Sequence, residues 1–183
     1  MAGLISEVVL EGERVRLRPV GEEDLPDFHH WLNDPEVYQW LAAGVLKPPT
    51  WEDELAWWRR TQASDAEVTW SIETLGRELL GSVTLHWTPP SRSATFGIFI
   101  GDRVEWDKGY GKATVRALAG HCFADLGLNR IGLNCDATNA RAIRCYEQVG
   151  FRHEGVMREH RYVDGLFRDS VVMGLLKKEW SID

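Results

Sequence analysis

Two blocks of residues in this sequence have the types and spacing for chemistry on a phosphate-bearing ligand. The first is Trp106-Asp107-Lys108-Gly109-Tyr110-Gly111-Lys112. Gly109 and Gly111 remove side chains where the chain turns, so neighbouring backbone N–H groups can point outward together. The apolar run Phe96-Gly97-Ile98-Phe99-Ile100 precedes it and reads as a strand. Ala113 to Leu126 follows and reads as a helix whose positive dipole end faces the turn. Lys108 and Lys112 add two charges. The predicted product is an anion pocket for a phosphate or pyrophosphate. The second block lies one strand further on: Asn139-Ala140-Arg141-Ala142-Ile143-Arg144-Cys145-Tyr146-Glu147-Gln148-Val149-Gly150-Phe151. It offers an amide that both donates and accepts and a phenol that can hold a proton.

The elements that must position these blocks follow from periodicity and turn chemistry. Val8 to Arg18 alternates Val15 and Leu17 with Arg14, Arg16 and Arg18, a half-exposed strand. Gly21 and the acids Glu22 to Asp24 introduce a helix through about Leu32, and Asp34-Pro35 starts a second. Gly44 and Pro48-Pro49 mark a loop. Thr50, with Asp53 three residues on, caps a helix over about Trp51 to Gln62. That helix places Trp51, Leu55 and Trp58 on one face and points Trp57 elsewhere, as a candidate contact for a substrate or partner. Glu67 to Leu75 and Glu78 to Thr88 form a hairpin across Gly76-Arg77, and Ala94 to Gly101 is the next strand. Arg130 to Asp136 is a strand, Thr138-Asn139 opens a helix that Gly150 stops, and Asp164-Gly165 joins the last two strands, Phe151 to Tyr162 and Leu166 to Lys177. No repeat or linker interrupts the pattern, so the chain reads as one α/β domain over residues 1–183.

Composition removes several function classes. A net charge of -7 argues against binding nucleic acid through a basic surface, and no apolar stretch is long enough to span a bilayer. Met1 to Glu13 lacks the pattern of a signal peptide. Cys122, Cys135 and Cys145 are odd in number and lack metal-ligand spacing; Cys122 and Cys135 fall in apolar patterns as buried small side chains, and a reducing cytoplasm is expected. The six histidines, His29, His30, His86, His121, His153 and His160, form no metal motif, so no metal is expected, and no GxSxG elbow marks a hydrolase.

The glycine block is not a Walker A loop, because Trp106 occupies its first glycine position and Ala113 follows Lys112; nor is it a Rossmann fingerprint, because Thr114 stands at its third small position. The two blocks together resemble the GNAT superfamily of acyl-CoA-dependent N-acetyltransferases: a pyrophosphate loop of Gln or Arg, two variable residues, Gly, one variable, Gly or Ala, followed by Asn-x-x-Ala…Tyr-x-x-x-Gly-Phe. The opening Val15-Arg16-Leu17-Arg18-Pro19 and the tail from Glu154 to Trp180 are similar to the ribosomal-protein-alanine acetyltransferase branch. The resemblance covers nearly the whole chain. It departs at Trp106, where a polar residue is usual, and at Asp107, whose acid would oppose a pyrophosphate unless it faces away.

The resemblance implies a mixed, mostly antiparallel sheet with a splayed parallel strand pair at its centre, flanked by helices. It implies acetyl-CoA as co-substrate, with Ile98, Phe99 and Ile100 along the pantetheine arm, Asp107, Lys108, Gly109, Tyr110, Gly111 and Lys112 around the pyrophosphate, and Asn139 on the pantetheine amides. Tyr146 matches the family's thiolate-facing acid. Asn134 stands where some members carry a glutamate base; an amide takes no proton at neutral pH, but with Asp136 on the same strand face it can position a water. His86 and Glu73 are further base candidates on the central strands. The implied activity is acetyl transfer to a primary amine. The amine belongs either to a protein N-terminus, such as that of a ribosomal protein, or to a small molecule such as a polyamine, an aminoglycoside or an amino acid derivative. A CoA-binding sensor without turnover is the reading from another class. A homodimer stays open.

Overall fold

Val15 and Leu17 are fully buried while the arginines between and after them reach the rim, as the alternation requires. This computed structural model describes residues 8–41, 48–64, 66–163 and 165–181. The single expected first strand is two: β1 (Leu10–Glu11) and β2 (Val15–Pro19), folded back where the Gly12 N–H bonds the Val15 carbonyl at 2.8 Å. Then come α1 (Leu25–Leu32), α2 (Pro35–Tyr38) and α3 (Trp51–Gln62). The strands β3 (Glu67–Thr74), β4 (Leu79–Thr88) and β5 (Ser93–Ile100) follow. The chain closes with α4 (Tyr110–Ala124), β6 (Arg130–Asp136), α5 (Ala140–Val149), β7 (Arg152–Val163) and β8 (Leu166–Leu176).

The helix ends obey the local signals. Asp34 caps α2 by accepting from the Glu36 N–H at 2.9 Å, and Thr50 and Asp53 form a reciprocal capping box on α3. Asn139 caps α5 by accepting from the Ala142 N–H at 3.1 Å. Gly44 and Asp164 of the expected loop and last hairpin lie outside the described residues, as do residues 1–7.

The eight strands form one sheet in the order β1-β2-β3-β4-β5-β6-β8-β7. Every neighbouring pair is antiparallel except β5 and β6. That parallel pair holds register only from Ser93↔Arg130 to Thr95↔Gly132. Beyond it the strands diverge, so Phe96 to Ile100 stay paired to β4 on one side and face a gap on the other. The divergence at the middle of the sheet creates the cavity described below. Among the described residues no helix is long and apolar enough to cross a membrane.

Two base candidates lie away from the cavity. Glu73 is buried and accepts from Arg18 at 2.5 Å and Arg16 at 3.3 Å, in a cluster where Arg18 also grips the buried Asp24 through two bonds. Burial would raise the Asp24 carboxyl, but bonds from Arg18, Ser71 and the Gly21 N–H outweigh it and hold it below the usual range. His86 is half exposed beside Glu67 at 3.3 Å on the sheet surface. Neither lines the cavity. Strand alternation placed them on the sheet but not on the face that opens.

Candidate active site

The gap between β5 and β6 opens into a cavity of about 870 Å³. One end is the N-terminus of α4. Gly109 takes a left-handed φ of 87°, which a side chain would strain, and turns the chain into the helix. Ala113 makes the first helical bond, to the Gly109 carbonyl at 3.0 Å. The N–H groups of Tyr110, Gly111 and Lys112 precede it and point out of the helix end, and all three residues border the cavity.

The loop is braced from outside. Arg14 donates to the Lys108 carbonyl at 2.7 Å and lies over the Tyr110 ring at 5.4 Å. Lys108 itself turns away: its ammonium pairs with Glu105 at 2.9 Å, and its side chain does not line the cavity. Of the two expected loop lysines, only Lys112 reaches the pocket.

Trp106 and Asp107, the two departures from the family pattern, have a structural partner in Arg141. The Trp106 indole N–H donates to the Ile100 carbonyl at 2.8 Å, fixing the ring at the end of β5. The Arg141 guanidinium stacks on that ring, 3.7 Å from its centre. Burial lowers the Arg141 pKa and the neighbouring Asp107 carboxylate opposes that shift. Both side chains border the cavity, and Asp107 holds a left-handed φ of 61°. Thus α5 delivers a cation to the place where the family's loop usually carries its own polar residue.

Ile98, Phe99, Ile100, Asn134 and Asn139 all line the cavity. Asn139 spends its oxygen on the helix cap, which leaves its amide N–H₂ for another partner. Tyr146 is buried between Phe96 and Phe151, with ring centres at 6.0 and 6.1 Å, and also borders the cavity. Burial pushes its phenol well above the usual tyrosine value, so it stays protonated. Cys135 and Cys145 share the wall, and burial raises each thiol to about 11, so neither is a thiolate at neutral pH.

The opposite end is built by α1, α2 and α3. Phe28, Trp40 and Trp57 form its walls, with Trp57 edge-on to Phe28 at 6.3 Å. Trp57 borders the cavity, whereas Trp51, which the helical count sets on one face with Leu55 and Trp58, is 38% exposed. The inward stripe of α3 is Glu54, Trp57, Trp58 and Thr61. Glu54 was missed by residue-type reasoning, which reads a glutamate near a helix start as solvated. The signal available was its spacing of three and four residues from Trp57 and Trp58.

The central 14–152 of the chain matches the family model described as an acetyltransferase (GNAT) domain. The chain belongs to the GNAT acetyltransferase family. This GNAT enzyme is 35% identical over 103 residues, 56% of either chain, to a Bacillus subtilis (strain 168) protein provisionally named ribosomal N-acetyltransferase YdaF. It is 29% identical over 163 residues, 83% of this chain and 81% of the other, to aminoglycoside N(6')-acetyltransferase type 1 of Klebsiella pneumoniae. Its fold matches the Vibrio cholerae spermidine N-acetyltransferase solved with CoA and spermine, at a TM-score of 0.82, 24% identity and coverage of 90% and 96% of the two chains. The co-substrate is acetyl-CoA, and the cavity fits it: free helix-end amides and Lys112 for phosphates, an unpaired strand edge for an extended arm, and a neutral phenol between them.

Proposed function

We propose that this enzyme transfers the acetyl group of acetyl-CoA to a primary amine that enters from the α1–α3 end of the cavity. The observation that carries this is the continuity of one cavity from the α4 N-terminus, past Tyr146, to the aromatic walls at Phe28, Trp40 and Trp57. A thioester laid along β5 would present its carbonyl to anything entering from the other end. The backbone amides of Tyr110, Gly111 and Lys112 hold the pyrophosphate, Asn139 and the free edge of Ile98 to Ile100 hold the pantetheine arm, and Tyr146 donates to the departing sulfur. Asn134 orients a water beside the reacting amine. The three free thiols suit a reducing cytoplasm.

The acceptor is the N-terminal amine of a protein in the first reading, supported by the relative with the ribosomal name. A small polycationic amine is the second, supported by the aminoglycoside and spermidine enzymes that align with most of the chain. Release of CoA thiol is followed with a peptide bearing a free N-terminal alanine, spermidine and an aminoglycoside. Turnover with the peptide alone selects the first reading and turnover with a small amine alone the second. No turnover with any of them sinks the transferase assignment to primary amines of these kinds.

At the phosphate end, Arg141→Ala should weaken acetyl-CoA binding about 10- to 150-fold, since one charge-assisted contact to a phosphate is worth roughly 1.5–3 kcal/mol. Asp107→Gly should act oppositely, by removing a negative charge from the pocket and by freeing the backbone of a left-handed side-chain residue. Calorimetric titration of both variants at fixed ionic strength reads this. Weaker binding by Asp107→Gly would show that the carboxylate's hold on Arg141 matters more than its repulsion of the ligand.

A further inference from the structure

Four acids are buried among the described residues: Asp24, Glu54, Glu73 and Asp136. The protein satisfies three of them. Asp24 and Glu73 share Arg18, and Asp136 holds Arg161 at 2.8 Å and Arg168 at 3.5 Å. Glu54 is 3% exposed and has no cation and no hydrogen-bond donor among the described residues. Among the described residues, the neighbouring charge that acts on it is Asp53, also negative. An uncompensated buried carboxylate is costly, and such cost persists where a ligand completes the site.

Its surroundings specify the ligand. Glu54 borders the cavity on the side walled by Phe28, Trp40 and Trp57. Aromatic faces attract cations, and more strongly when water is excluded. A carboxylate set among such rings is a receptor for an ammonium group. The burial that shields it raises its pKa to about 7, with Asp53 adding to the shift, so it exchanges a proton readily near neutral pH.

We propose that Glu54 binds the ammonium of the acceptor amine and takes its proton. The proposal rests on the amine-acetyltransferase reading above and supplies the proton acceptor that Asn134 cannot be. The amine enters as R–NH₃⁺ and passes one proton to the Glu54 carboxylate. The freed lone pair forms the C–N bond to the thioester carbonyl carbon. The C–S bond breaks with its electron pair going to sulfur, and a second nitrogen proton reaches that sulfur. The products are the amide, the CoA thiol and a protonated Glu54, which returns its proton to solvent.

Other charges around the cavity leave this assignment intact. On α3 they are Asp53 and Arg60; α1, α2, β4 and β5 contribute only uncharged residues to the wall. Across the cavity Asp136 and Arg161 neutralise each other, and Glu105 is held by Lys108. Lys112, Arg141 and Arg144 lie with Asp107 at the phosphate end.

The test is Glu54→Gln, which keeps the shape and removes both the charge and the base. It is read with spermidine and with a peptide bearing a free N-terminal alanine. Amine binding to the enzyme–CoA complex, followed by tryptophan fluorescence, should weaken at least tenfold. The kcat/KM at pH 7.5 should fall about 100-fold, while acetyl-CoA affinity and Tm are retained, which certifies folding. Wild-type kcat/KM should rise with pH through about 7, the value to which Glu54 is raised, and the variant should lose that inflection. Glu54→Asp should recover part of the amine binding. Equal amine binding, or an unchanged inflection with turnover within twofold, overturns the role of Glu54. Amine binding that depends on Glu54 in an enzyme that acetylates neither amine would instead overturn the transferase reading and leave the ammonium receptor standing.

Discussion

Tyr146→Phe should lower kcat about 100-fold while leaving acetyl-CoA affinity and Tm nearly unchanged. The ring is held by edge-on contacts to Phe96 and Phe151, and phenylalanine preserves both, so folding loses little. Only the hydroxyl is removed, and it has no protein partner among the described residues. Burial raises the phenol's pKa well beyond its ordinary value, which decides what it can do. A free thiolate is a weaker base than such a phenolate, so complete proton transfer to sulfur runs uphill unless the sulfur is equally desolvated. The energetically easier role is a hydrogen bond that strengthens as negative charge grows on sulfur, a contribution of about 2.7 kcal/mol for a 100-fold effect. Because the phenol stays neutral, no loss of activity from its ionisation is expected up to pH 10. Steady-state kinetics with CoA-thiol detection measures kcat, and calorimetry measures the affinity. Turnover within twofold of the wild type would remove Tyr146 from the chemistry.

The parts of this design that were legible in the sequence are those encoded locally. Glycines 109 and 111, the cap residues Asp34, Thr50 and Asn139, and the alternation around Val15 and Leu17 each act within a few residues of themselves. The family resemblance added the splayed strand pair, which no local pattern contains. Missing from both were the features made by distant segments. Arg141 on Trp106 joins α5 to the loop before α4. Glu73 changes from base candidate to structural anchor because Arg16 and Arg18 on β2 lie directly across from it. Lys108 is a local exception: Glu105, three residues earlier, pairs with its ammonium, and its side chain lies off the cavity wall. Glu54 was hidden by a general expectation about charged residues, although its helical spacing from Trp57 pointed inward. For Arg141, Glu73 and Glu54 a charge was identified by type, and only tertiary packing decided whether it is neutralised or left for a ligand.

Asp136→Asn should be the most destabilising change in the cavity wall, costing about 3–5 kcal/mol and lowering Tm by roughly 10 °C. Asp136 is 1% exposed and accepts from the Thr138 N–H at 2.8 Å, the Thr138 hydroxyl at 2.6 Å and Arg161 at 2.8 Å. Burial pushes its carboxyl up, but the Thr138 bonds and the charges of Arg161 and Arg168 outweigh this and hold its pKa below the usual range. Its ionised form therefore stabilises the fold above the unfolded carboxyl pKa, and that stability is lost as pH falls through the depressed folded value. Denaturant melts of wild type and variant should accordingly differ most near neutral pH and converge in acid. Asparagine strands the Arg161 guanidinium, itself 4% exposed, without its anion. Replacing both partners, Asp136→Asn with Arg161→Met, should recover part of the loss, because the unpaired buried charge is then gone. The pair also has a reach beyond stability. Arg161 donates to the carbonyls of Gln39 and Leu41, and so ties β7 to the chain segment that carries Trp40 at the acceptor end. Arg161→Met should therefore raise the acceptor KM while acetyl-CoA affinity holds. A KM unchanged despite a lowered Tm would confine the pair to folding and separate the acceptor wall from the ion pair behind it.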